Sequence, residues 1–440
     1  GPGADSGRWH IEWKAAWYLR TALAADVAVW LGVRGAGCLR AGDRVTGIVV
    51  TTPLGAGVVA CGCAVDSSGA ATIPAAAGAP TTAIGGDHIA VQGTGVSPRM
   101  LGFGGQNTDW TFVDDADPAD VTRAFAAARA KFAGEFDVAQ IIDSRERRQI
   151  VADLDLDALD ILAERTFPDT VVTARSNFDS HGFTIHPIFL VEPPTKAPLT
   201  AHVPLRALLP RGLDGVLVTG LGMGAHRDAL PVVRMQPDVQ NQGYAAGAAA
   251  AQAVATGSGI RRLDVRALQR HLIEIGNLPG QVLTDVDSFP LPAAELQRAV
   301  DAGCATHKDL AVVFAYADAC RPLLRSALEA AVAGKDWGRR QRLALVLGML
   351  GDAAAAGPLA AMVETRPWWD PGWNFRGMDQ FGMSLSGLDS LVIALGRTGD
   401  AQGLPPVLRL ARLLHTQCEL SHARAIAEAA PHLARHDRQG

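Results

Sequence analysis

The spacing of apolar residues changes near residue 290, and no other feature of the chain constrains its architecture as firmly. Before that point Gly and β-branched residues are dense, and short apolar runs alternate with turn signals. After it the chain is rich in Ala and Leu at helical spacing. A unit recurs within this second part. RLALVLGMLGD at 342–352 resembles SLVIALGRTGD at 390–400, an offset of about 48 residues. Each is an apolar helix stopped by Gly-Asp, followed by a second helix from Pro358 or Pro405. Such helix pairs bury their apolar faces only by stacking on neighbours, and residues 421–433 read as the opening of another unit.

Composition bounds the rest. At roughly 150 residues per domain, 440 residues suggest two or three domains. Hydrophobic residues at 48% and charged residues at 19% allow a large buried core. A formal charge of −5 argues against a nucleic-acid binder, which would carry a basic excess. No run of about 18 residues is apolar enough to span a bilayer, and the opening Gly1-Pro2-Gly3 has no secretory pattern. Six cysteines, including the close pair Cys61 and Cys63, form neither a disulfide framework nor a four-ligand zinc pattern. A reducing cytoplasm, with no metal and no membrane, is the expected setting.

The first part reads as follows. Residues 11–33 have apolar residues near helical spacing. Residues 45–52 and 58–66 read as a hairpin whose second strand runs into Ser67-Ser68-Gly69. Helices are expected over 118–132, with Asp117 as cap, and over 151–165. GVLVTG at 215–220 reads as a short buried strand, LGMGAHR at 221–227 as a glycine-rich loop, and Pro237-Asp238 as the opening of a helix reaching about Ala255. The small residues Gly243, Ala246, Gly247 and Ala250 suggest a close-packed face on that helix.

Chemistry concentrates in this strand–loop–helix segment. Glycines admit a ligand close to the backbone, and a helix amino end favours electron-rich atoms; an ordinary tight crossover gives the same pattern. His181, His186 and His226 can act as acid or base near neutral pH, or serve as hydrogen-bonded structural residues. No Gly-x-Ser-x-Gly elbow supports a serine nucleophile, and no G-x-G-x-x-G dinucleotide fingerprint occurs. The aromatic loop 368–376 lies between two helical units, as either a binding element or a cover over its own repeats.

Taken in order, several segments resemble the later portion of FAD-dependent oxidoreductases of the glutathione-reductase-like class, in a subgroup with C-terminal HEAT-like helices. They are RVTGIVV (44–50) with AVDSSG (64–69), DSRERRQIV (143–151), VPLRALLPRGLD (203–214), RMQP (234–237) through QGYAAG (242–247), and LDVRALQ (263–269). The resemblance implies an α/β fold: a partial FAD-binding domain with a β-rich substrate region, then an α-helical HEAT-like domain. The implied divisions are 1–80 and 206–290 for the two parts of the FAD-binding domain, 81–205 for a substrate or cap region, and 291–440 for the repeats.

The resemblance also implies site roles. Ser68 and Gly69 would lie near the FAD phosphates or adenosine. Gly220, Gly222 and Gly224 would pass the ribityl chain and diphosphate. Pro237, Asp238, Gln240 and Asn241 would present the helix amino end to the flavin. His226 or His181 would accept a proton, and Arg227 or Arg234 would hold an anionic group of a small organic substrate. The family's opening βαβ unit is missing, so the expectation is a partner subunit carrying the G-x-G-x-x-G half. A truncated fragment and a chain that has lost flavin remain open. So do two other functions, a non-redox helical scaffold and a flavin-free cyclase or isomerase.

Overall fold

The computed structural model describes residues 11–86, 88–93, 110–111, 113–131, 143–144, 148–180, 183–373, 384–416 and 419–434. Two parallel strands sit at the point that positions the site. Ala64–Asp66 pairs with Val216–Val218 in the register Ala64↔Val216, Val65↔Leu217 and Asp66↔Val218. Strands distant in sequence pair in parallel only through a long crossover, and here everything between them serves as that crossover. The helix Gln236–Thr256 packs on both strands and on the strand Thr170–Ser176.

The anticipated hairpin is a three-stranded antiparallel sheet, Arg34–Ala41, Arg44–Thr52 and Gly55–Ala60. The run expected to continue to residue 66 breaks at Cys61. There Gly62 lies against Val254 of the long helix, and Arg44 Nη2 holds the Gly62 carbonyl at 2.8 Å. The strand Arg34–Ala41 was not expected, because RGAGCLRA has no alternation of apolar and polar residues.

The helix Pro118–Lys131 forms as expected, and Asp117 Oδ1 accepts the Ala119 amide at 2.9 Å. The helix expected over 151–165 shortens to Ala158–Leu162. Bridges from Ala152 to Pro210 and from Leu156 to Ala225 hold the preceding residues extended, and Asp157 caps the helix that remains. A second antiparallel pair, Thr170–Ser176 with Leu199–Pro204, lies over the long helix.

Beyond residue 290 the described chain is helical. Trp337–Met349, Gly387–Arg397 and Leu420–Leu433 lie side by side in that order. Ala356–Glu364 packs on the first two and Leu404–Arg412 on the last two. The two Gly-Asp stops are built alike: Gly351 and Gly399 are left-handed, while Asp352 and Asp400 accept the amides of Ala354 and Gln402. Gly396 lets two helices touch, since a Cβ there would lie 2.4 Å from Ala429 Cα. Trp369 covers its own array, stacked on His422 at 4.4 Å with Nε1 donating to the Leu410 carbonyl. One contiguous apolar core runs from Leu156 to Leu433.

Among the described residues, no helix is long and apolar enough to cross a membrane, and no group of three or more His, Cys, Asp or Glu side chains is placed to hold a metal ion.

Candidate functional site

Two turns leave the carboxyl ends of the parallel strands side by side. In the first, the Asp66 carboxylate accepts the amides of Ser68 and Ile73, each at 2.8 Å. Ser68 Oγ accepts the Thr72 amide at 3.2 Å, and Gly69 is left-handed at φ 76°. In the second turn Gly220 has φ 68°, and its amide donates to Gln242 Oε1 at 2.8 Å. Ser67 and Thr219 hydroxyls join the turns at 2.8 Å. Open space faces Gly69, where a Cβ would meet nothing within 4 Å.

Gly222 and Gly224 serve close approach of the loop to its own chain. A Cβ on Gly222 would lie 2.9 Å from the Ala71 nitrogen, and one on Gly224 would lie 2.2 Å from Ala152 Cβ. The small-residue face of the long helix holds in part, since Ala246 is buried and Ala250 packs on the core as expected. Gly243 and Gly247 look onto open space, while Ala245, Ala246, Ala249 and Ala253 supply the buried contacts.

At the amino end of this helix no side chain caps the first amides. Pro237 and Gln240 are exposed and Asn241 is half-buried. Asp238 instead turns inward to the strand Thr170–Ser176. Burial pushes its pKa up to about 6, against a hydrogen bond from the Arg175 amide.

The glycine loop then enters a cavity of about 280 Å³ lined by Gln149, Ile150, Asp157, Ile185, His226 and Arg227, among others. Ile150 joins the two places, since it also packs against Ala71 and Val218. The Asp228 amide donates to His226 Nδ1 at 3.1 Å. With that lone pair engaged, the ring proton sits on Nε2. Burial lowers the His226 pKa, against the pull of Asp228 and Asp157. In this neutral form His226 is a hydrogen-bond donor at Nε2.

His186 is built the same way. It caps the helix Pro187–Val191, with Nδ1 accepting the Ile188 amide at 3.2 Å and Nε2 lying 3.4 Å from Asp157 Oδ1. The two imidazoles meet edge to face at 5.1 Å. Burial works to raise the Asp157 pKa, and the hydrogen bond from His186 with the facing imidazoles outweighs it, so the group stays a carboxylate.

Arg227 is committed inward. Its guanidinium pairs with Asp228 at 2.7 Å, donates to the carbonyls of Phe183 and His88, and lies over the Phe183 ring. The other Asp228 oxygen accepts the amides of Ile185 and His186 at 2.7 and 2.6 Å. This buried pair fixes the loop, and such pairing is what makes two buried charges tolerable. Arg234 Nη2 donates to the Asp179 carbonyl at 2.8 Å, away from the cavity lining. His181 lies outside the described residues.

Of the expected residues, then, Ser68, Gly69 and Gly220 come together at the strand ends, and His226 and Arg227 at the cavity. Gln149, Asp157 and Asp228 were not anticipated. Only the adjacency of Asp228 to His226 and Arg227 gave a signal; Asp157 and His186 meet through space.

No curated protein and no solved structure matches this chain. A family model described as FAD dependent oxidoreductase matches residues 112–272, which take in the glycine loop, the long helix and His226. That match likens this region, somewhat over a third of the chain, to the FAD-dependent oxidoreductases and indicates FAD as the cofactor.

Proposed function

We propose that this chain forms one wall of an FAD site and belongs to an oxidoreductase that moves a hydride between the flavin and a small organic substrate. One observation carries the reading: two turns at the carboxyl ends of adjacent parallel strands, with an uncapped helix amino end behind them. Nucleotides bind in the crevice outside such strand ends, and a helix amino end stabilises electron-rich groups.

The residues fit the group. Ser68, Gly69 and Gly220 would hold the ribityl and phosphate portion, with Gly69 leaving the space a side chain would fill. Pro237, Gln240 and Asn241 sit on the accessible first turns of the helix. When bound, FAD supplies a two-electron acceptor at N5. This chain's part is to offset negative charge at the helix end, to hold the glycine loop by Gln242, and to offer the His226 Nε2 proton from the adjoining cavity.

The dinucleotide half is carried by a partner polypeptide with G-x-G-x-x-G. Two features support this. The helix Ile11–Ala24 exposes Trp13, Trp17 and Leu23 at 59%, 55% and 58%. The long helix turns Gly243 and Gly247 to open space, and small residues of that kind admit a second helix closely. Large exposed apolar patches mark interaction sites. The helices after residue 290 are a HEAT-like array that buttresses this assembly.

The test is native purification. A flavin band that bleaches with dithionite, and a co-purifying polypeptide with G-x-G-x-x-G found by mass spectrometry, are the expected results. A colourless preparation overturns the reading.

A further inference from the structure

The cavity beside the glycine loop holds one polar group that the fold leaves unsatisfied. Gln149 is 3% exposed, lines the cavity, and its amide nitrogen has no hydrogen-bond partner. A buried donor left unmade is costly and calls for an explanation. His226 lines the same cavity with its Nε2 proton as the second donor. Ile84, Ile150, Leu156 and Ile185 supply apolar walls.

The charges are equally specific. Asp155 and Asp157 both line the cavity; Asp155 is balanced by Arg211 at 4.0 Å and Arg227 by Asp228 at 2.7 Å, which leaves the Asp157 carboxylate beside His186 as the excess charge. A carboxylate ligand would face like charge here, at a cost that specificity often exploits. Two N–H donors, apolar walls and surplus negative charge describe a site for an oxygen that accepts hydrogen bonds and carries no formal charge.

We propose that this cavity binds a small uncharged carbonyl compound, its oxygen accepting hydrogen bonds from Gln149 Nε2 and His226 Nε2. The assignment rests on the flavoenzyme reading for its catalytic meaning, though not for the binding itself. It replaces the anion-binding role expected of Arg227. Paired donors at a carbonyl oxygen also stabilise charge that develops there during reaction.

The test measures binding of two ring probes, cyclohexanone and cyclohexanecarboxylate, to the full chain by saturation-transfer NMR. Flavin content is read from absorbance of the same sample, so failure of the flavoenzyme reading shows separately from failure of this one. The expected result is that the ketone binds at least 10-fold more tightly than the carboxylate. Gln149→Leu should weaken the ketone at least 5-fold. It should not lower the melting temperature, because the amide it removes has no partner in the fold. Asp157→Asn, which keeps a hydrogen-bonding group beside His186, should narrow the gap between the probes. Carboxylate binding as tight as the ketone's, or ketone binding unchanged in Gln149→Leu, overturns the proposal. If Gln149→Leu fails to fold, the probe ratio in the wild-type chain and in Asp157→Asn decides it.

Discussion

Gln242, in the long helix, accepts the backbone amide of Gly220 at 2.8 Å, while its own amide donates to the Val233 carbonyl at 2.8 Å. Gln242 is fully buried. One side chain thus sets the distance between the glycine turn, the helix and the segment before it.

Replacing it by Leu leaves a donor and an acceptor unmet. Each buried group so orphaned costs about 1–3 kcal/mol. Gln242→Leu should lose at least that much stability in a urea titration and should retain less FAD than wild type. An unchanged midpoint would mean that the bridge does not hold the turn.

Glycines of the segment separate by what faces them. Gly224→Ala drives a Cβ into Ala152 and should cost about 1–3 kcal/mol by overpacking. Gly243→Ala and Gly247→Ala meet open space on a helix and should stabilise the free chain by up to about 1 kcal/mol each. On the proposed assembly, the same two changes should weaken partner docking. Denaturant midpoints and a pull-down measure the two effects independently.

Much of this segment was legible beforehand. The strand, glycine loop and long helix follow from GVLVTG, the glycines and Pro237, because local propensity and tertiary packing agree there. The Gly-Asp repeat was legible because both copies use the same left-handed glycine and the same Asp cap. Elsewhere tertiary contacts overrode the local pattern. Residues 151–157 carry helical spacing yet are held extended by Pro210 and Ala225. Gly243 and Gly247 read as a packed face because sequence shows a missing side chain without showing which way it looks. The donor role of His226 depends on one backbone amide, which no spacing encodes.

Stability should depend on pH from both sides. Burial lowers the pKa of His226 and His202 in the folded chain. The unfolded chain, with histidine near about 6.5, then binds more protons. Their contribution is complete above that value and is lost as pH falls below it. Asp238 has the opposite sign. Raised to about 6, it contributes stability below its unfolded pKa of about 3.9, and that contribution is lost as pH rises through about 6. Asp238→Asn should therefore gain stability over wild type at about pH 8 and little at about pH 4. Urea midpoints across this range check the sign, and a gain confined to acid pH would contradict it.

In the helical array, Gly396→Ala forces a Cβ against Ala429. The expected cost is about 1–3 kcal/mol, with faster hydrogen exchange concentrated in Leu420–Leu433. Exchange spread evenly over the chain would place the strain elsewhere.

The claim that the paired turns hold FAD is tested most directly by flavin retention in the complex isolated from its native cells. Ser68 is exposed at the first turn, so Ser68→Trp should fill the crevice without disturbing the core. Wild type should keep FAD through gel filtration, and Ser68→Trp should lose at least nine-tenths of it, while the apoprotein, which loses only the hydrogen bond to the Thr72 amide, melts no more than about 4 °C lower. Equal retention by both proteins, or none by either, would contradict the account.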